Sequence, residues 1–156
     1  MASKAQGMTF EYSVDAGSTF TAVGSIVDLT VPTISKDAIE ITNHGGNGYR
    51  DFTGGLIDGG ETVVVVNYDA RDTGAAGTAG HHDLRDLANT VFETTENKVF
   101  KISFPDSDSD DSVADELQFS FAGIVTGFEM ATPVDGVLQA TFTIKVSGTV
   151  TITDAS

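Results

Sequence analysis

Apolar residues recur along most of this chain at every second position, the period of a β-strand with one face buried and the other wetted. The clearest case is the last segment, where Leu138, Ala140, Phe142, Ile144 and Val146, then Val150 and Ile152, share one side. Gln139, Thr141, Thr143, Lys145, Ser147, Thr149 and Thr151 stand opposite them. Residues 98–104 (KVFKISF) alternate as cleanly, and Leu117, Phe119 and Phe121 are spaced by Gln118 and Ser120. Gly123 and Gly127 interrupt that run and admit a bulge or corner, and residues 133–136 (PVDG) read as a hairpin turn. Nearer the start, residues 8–14 (MTFEYSV) predict a short strand with Phe10 and Tyr12 on one side, followed by turn chemistry at 15–18. Residues 20–31 predict a second strand, bent at Gly24 and ended by Pro32. Residues 61–68 (ETVVVVNY) break the alternation. Four consecutive valines put β-branched side chains on both faces, so both faces are expected to be covered.

Only one stretch has helical spacing. Leu84, Leu87, Ala88, Val91 and Phe92 form a single stripe, with Asp83 and Asp86 near the N-terminal end, where negative charge suits the helix dipole. So short a helix must draw its stability from packing against a sheet. The fold class that follows is mainly β: an antiparallel barrel or sandwich with one short flanking α-helix.

Residues 34–61 stand apart. Ile39 and Ile41 alternate with Ala38, Glu40 and Thr42, which predicts a strand with one buried face. Residues 43–60 then read as a loop, glycine-rich and longer than most connections in a compact domain. It begins at Asn43 and carries Tyr49, Arg50, Phe52, Leu56 and Ile57, side chains that need a surface to rest on. Ordering such a loop unaided is costly in chain entropy. Two readings follow: a loop folded back over its own core, or an arm that docks on a neighbouring subunit.

Length predicts one domain over residues 1–156, with 1–7 as a flexible N-terminal arm lacking the apolar run of a signal peptide. The net charge of −15, with only eight Lys and Arg, argues against binding nucleic acid by phosphate neutralisation. Acidity is also what solubility or a saline habitat would favour. With no cysteine, disulfide and thiol chemistry are excluded. No serine lies in a nucleophile elbow and no phosphate loop is present. His81 and His82 are adjacent and point apart in extended chain, and His44 is the only other histidine. Residues 105–115 form an acidic loop that misses the calcium-loop pattern, with Asp111 where Gly is required and Leu117 where Glu is required. No catalytic, cofactor or metal residue is therefore expected.

Several segments carry a family likeness when taken in order. They are Val31-Pro32-Thr33-Ile34-Ser35-Lys36-Asp37, then Ile39-Glu40-Ile41-Thr42-Asn43, then Tyr49-Arg50-Asp51-Phe52. Gly54-Gly55-Leu56-Ile57-Asp58-Gly59-Gly60-Glu61 follows, and Val134-Asp135-Gly136 with Ile144-Lys145-Val146-Ser147-Gly148 closes the set. Together they resemble the major tail tube proteins of long, non-contractile-tailed bacteriophages, a family related to the tubes of type VI secretion. The likeness spans most of the chain from Gly24 to Thr151. It implies a structural protein of the virion tail, made in the host cytoplasm, whose hexameric rings stack into a channel for DNA. It implies tape measure, tail terminator and distal tail proteins as further partners. The 43–60 segment would bridge subunits, and strands would pair edge to edge with neighbours. Six copies at −15 give about −90 per ring, a field that lets phosphate slide without sticking. Asp28, Glu40 and Glu61, on or beside strands, are the candidate channel-lining residues. Two rivals stand beside this reading: a tube of a contractile injection system, and a monomeric β-sandwich attachment module.

Overall fold

The computed structural model describes residues 7–13, 15–45, 48–68, 85, 98–105 and 117–154. Nine strands follow in chain order: β1 (Thr9–Ser13), β2 (Thr21–Val23), β3 (Ile26–Thr30), β4 (Ser35–Glu40) and β5 (Phe52–Asp58), then β6 (Glu61–Asn67), β7 (Lys98–Phe104), β8 (Leu117–Ala131) and β9 (Gln139–Asp154). Seven of them make one sheet in the order β2-β1-β7-β8-β9-β6-β3, and β4 and β5 make a second, two-stranded sheet. All pairings are antiparallel.

The expected strand over 20–31 is in fact two strands, and the break decides the architecture. β2 lies at one edge of the large sheet and β3 at the other, yet only Gly24 and Ser25 separate them in sequence. Two edges joined by so short a link must approach each other, so the sheet rolls over on itself. Ser25 takes a positive φ of 56° at the corner, and its carbonyl accepts from the Asn67 N–H at 2.9 Å. No β2–β3 ladder closes the roll. Of the two forms the sequence allowed, barrel and sandwich, the fold is the open, sandwich-like one.

The inside of the roll is the core. Phe10 stacks on Phe100 at 5.8 Å between ring centroids, and Phe100 on Phe121 at 5.7 Å. Across from them lie Val64, Val66, Phe142 and Ile144, all fully buried, and Phe142 meets Phe128 at 5.3 Å. These are the apolar faces that alternation marked. On β6, Val64 and Val66 are buried while Val63 and Val65 are half-buried in the single chain, so only one face has full cover. Bulges fall at Ser120/Ala122 and Val125/Gly127 in the β8–β9 ladder. The first lies opposite Gly148, at φ +84°, and beyond it residues 151–154 of β9 are exposed. Gly123 has a separate duty: a Cβ there would sit 2.8 Å from the Lys145 carbonyl oxygen.

The β1–β2 turn is built on Asp15, which accepts from the Ser13 hydroxyl at 2.6 Å and the Thr19 N–H at 2.8 Å. These bonds, the Ser13 one foremost, hold its pKa down to about 2. The sheet edges are the short strands β2 and β3, whereas the longest strands, β8 and β9, lie inside the sheet. The expected helix lies outside the described residues apart from Arg85, whose backbone is helical. Arg85 donates from Nη1 to the Tyr68 hydroxyl at 3.3 Å. The N-terminal arm over 1–6 and the acidic loop over 106–115 also lie outside them.

Phe142, at 0% exposure, packs on Phe128 inside the core. Phe142→Ala is expected to cost about 3–5 kcal/mol in urea denaturation; a loss under about 1 kcal/mol would mean the roll is packed elsewhere.

Candidate functional site: a projecting hairpin and the groove at its base

The segment expected to be a loop over 43–60 is partly a strand. β5 takes up residues 52–58 and pairs with β4 through Ser35↔Asp58, Lys36↔Ile57, Ala38↔Gly54, Ile39↔Thr53 and Glu40↔Phe52. Gly54 and Gly55 hide the alternation in the sequence because neither has a side chain to show it. They also make the pairing possible: the Lys36 side chain lies across Gly54, and Asp37 and Ile39 press on Gly55.

Every residue of β4 is exposed, so among the described residues nothing buries the strand predicted to have a buried face. Ile39, Ile41, Tyr49, Phe52, Leu56 and Ile57 are all open to solvent, Leu56 at 86% and Tyr49 at 80%. A two-stranded hairpin is at best marginal by itself in water. This one is braced at its far end by Thr42, which donates to Glu40 Oε1 at 2.9 Å and accepts from the Asp51 N–H at 3.1 Å. The Ile41 N–H donates to the Asp51 carbonyl at 2.8 Å, and Arg50 Nε stands 4.0 Å from Glu40 Oε1. Asn43 shapes the turn by accepting from the Gly45 N–H at 3.0 Å.

At its base the hairpin is fastened to β9. Lys145 Nζ donates to both Asp58 oxygens at 3.2 and 3.4 Å, the Gly60 N–H donates to Asp58 at 2.9 Å, and the Val146 N–H donates to the Gly60 carbonyl at 3.0 Å. The Gly60 N–H first, and Lys145 second, hold the Asp58 carboxyl below its ordinary range. Gly60 sits at φ +69°, and a Cβ there would lie 2.5 Å from the Thr33 carbonyl oxygen. Between this base and the outer part of β9 lies a groove of about 830 Å³, walled by Ile34, Leu56, Ile57 and Val150.

The three acidic candidates do not stay together. Asp28 pairs with Val65 and Glu61 with Lys145, which puts both carboxylates on the face of the large sheet turned away from the core. Glu129, opposite Thr141, shares that face. Sequence reasoning missed it because the Val125/Gly127 bulge shifts its parity. Glu40 belongs to the hairpin instead. Lys145 was visible only as a polar alternate, and nothing in the sequence tied it to Asp58.

Among the described residues, no three His, Asp or Glu side chains gather to hold a metal; His81 and His82 lie outside them. What the molecule presents is surface for association. Residues 1–156 match the family described as phage tail tube, TTP, lambda-like. The chain belongs to that family. It is therefore a structural component of a phage tail tube and not an enzyme. No curated protein sequence matches the tail tube chain. Among solved structures it is similar to a chain in the tail of an empty GTA particle, refined helically with C6 symmetry (TM-score 0.70, 12% identity, 97% of this chain and 99% of that one). It is also similar to a chain of the PVC sheath/tube terminator of an extracellular contractile injection system in the extended state (0.71, 13%, 98% and 97%). A third similar structure is the SPP1 tail tube (0.66, 13%, 99% and 80%). At these identities the likeness is one of fold.

Two outcomes are expected of the hairpin base. Gly60→Ala should destabilise the tail tube protein by more than about 1 kcal/mol, since φ is positive and the site is closed, as measured by thermal unfolding. Asp58 should titrate below 3.8 by carboxyl NMR. Its tether is thus complete above that value and weakens as pH falls through the lower folded-state pKa. Lys145→Met should move that midpoint up only part of the way, because the Gly60 N–H remains.

Proposed function

We propose that this tail tube protein assembles as hexameric rings that stack into a tube through which DNA passes, and that the β4–β5 hairpin is the arm by which one subunit holds another. The observation that carries this is the uncovered apolar hairpin. Its own sheet cannot bury Ile39, Ile41, Phe52 or Leu56, and a patch so contiguous marks an interaction surface. C6 symmetry of the GTA tail supports the six-fold ring. The edges β2 and β3, which have no further strand beside them among the described residues, could pair with neighbouring sheets.

The face bearing Asp28, Glu61 and Glu129 is the one we assign to the channel. Phosphate would meet like charge there and few donors to grip it. Glu40 is removed from that set and placed in the arm with Arg50, Asn43 and Tyr49. Membership of the lambda-like family favours a DNA-carrying phage tail over the tube of a contractile system.

Deleting residues 45–53 tests the arm. The protein should keep its β-type circular dichroism and fail to form tubes in negative-stain images. Long tubes from the deleted chain would remove the arm assignment. The channel has its own test: with Asp28→Lys and Glu61→Lys together, tubes should assemble and DNA ejection should slow at low salt, recovering as salt rises. Ejection at the normal rate in low salt would take these two carboxylates out of the channel.

A further inference from the structure

Beyond the hairpin, the described residues carry a second cluster of exposed apolar side chains, at the turn between β8 and β9. Val134 is 100% exposed, Val137 61% and Met130 40%. The turn is tight: the Pro133 ring lies so near Gly136 that a Cβ there would come within 2.8 Å of it. This cluster and the groove at the hairpin base sit at opposite ends of the same ribbon. The stretch of β9 between Gln139 and Gly148 is about 30 Å long, and it is held in register by β6 and β8 on either side. The turn therefore cannot reach the groove of its own chain.

We propose that the β8–β9 turn of one copy, led by Val134 and Val137, seats in the groove at the hairpin base of a second copy. The inference rests on the stacking reading above and names the contact that joins one ring to the next. A knob at one end of a rigid ribbon and a socket at the other make a head-to-tail contact. Repeated by translation, such a contact does not close, and it builds a filament. The chemistry matches as well. Ile34, Leu56, Ile57 and Val150 give an apolar lining for two exposed valines, Val134 fully and Val137 by more than half. Lys36, the cross-strand partner of Ile57, lies outside the groove lining with its side chain across Gly54 and has no carboxylate partner among the described residues; Asp135 at the tip would meet it at the rim. Of the two carboxylates at the groove, Asp58 is already held by Lys145.

The absence of cysteine from the chain makes the test clean. Leu56→Cys and Val134→Cys would be introduced together, the protein assembled under reducing conditions and imaged, then oxidised and run on a denaturing gel. A parallel sample would be treated with a short bismaleimide, which tolerates imperfect geometry. The expected result is a ladder of linked chains extending well past six, with each single variant remaining monomeric. Tubes that form but yield no ladder would overturn the contact while leaving ring stacking intact. A series ending at six would place the contact within a ring, and dimers from Val134→Cys alone would mean that tip meets tip; either result overturns the proposal. Wild-type protein that stays monomeric at the same concentration would overturn this contact and the stacking reading together.

Discussion

The pairing of β9 with β6 on one side and β8 on the other is the constraint on which the rest of the molecule depends. Its inward face supplies Ala140, Phe142, Ile144 and Val146 to the core. Its outward face supplies Lys145, whose ammonium holds Asp58 and with it the base of the hairpin. The next backbone amide, at Val146, holds Gly60. One strand thus bonds the sheet, fills the core and fixes the direction in which the hairpin leaves. That economy has a physical basis: a strand with two paired neighbours has no backbone group to spare and little freedom to move, so whatever hangs from it is well placed.

The hairpin shows the opposite condition. It has the composition of a buried element and the exposure of a loop, and it is joined to the body at its base. Burying an apolar side chain the size of Leu or Ile is worth about 1.5–3 kcal/mol, so several such residues left in water are a considerable unused driving force. In a protein whose net charge of −15 keeps single chains apart, association has to be local and apolar to overcome the general repulsion. The exposed residues of the hairpin and of the β8–β9 turn are where it can do so.

Solved structures with about an eighth of their residues in common with this chain keep its fold over nearly its whole length. Such tolerance is expected where the inward positions must only be apolar and of fitting size. Family membership then carries what fold alone does not, namely the role in the phage tail. It sets aside the attachment-module reading, which shared the β architecture and lacked any reason for the uncovered hairpin.

Strand alternation by itself determined the inward faces of β1 and β7, of β8 before its Val125/Gly127 bulge and of β9 as far as Val146, because period-two burial is written directly into residue order. It also showed that residues 34–61 held more apolar anchors than a loop should. The segments from Val31 to Gly148 that match the family were legible without coordinates. What sequence did not determine depended on contacts distant in the chain. The break at Gly24 and Ser25 looked like a bend within one strand, and only the sheet order showed that it joins opposite edges of a roll. β5 was hidden because two glycines erase the side-chain pattern while leaving the backbone free to pair. Glu40 and Glu61 looked alike as acidic residues on strands, and tertiary structure sent one to the β4–β5 hairpin and the other to the outer face of the large sheet. Residue order sets which side of a strand is apolar; which surface that side meets is decided by pairings between residues far apart in sequence, such as Lys145 with Asp58.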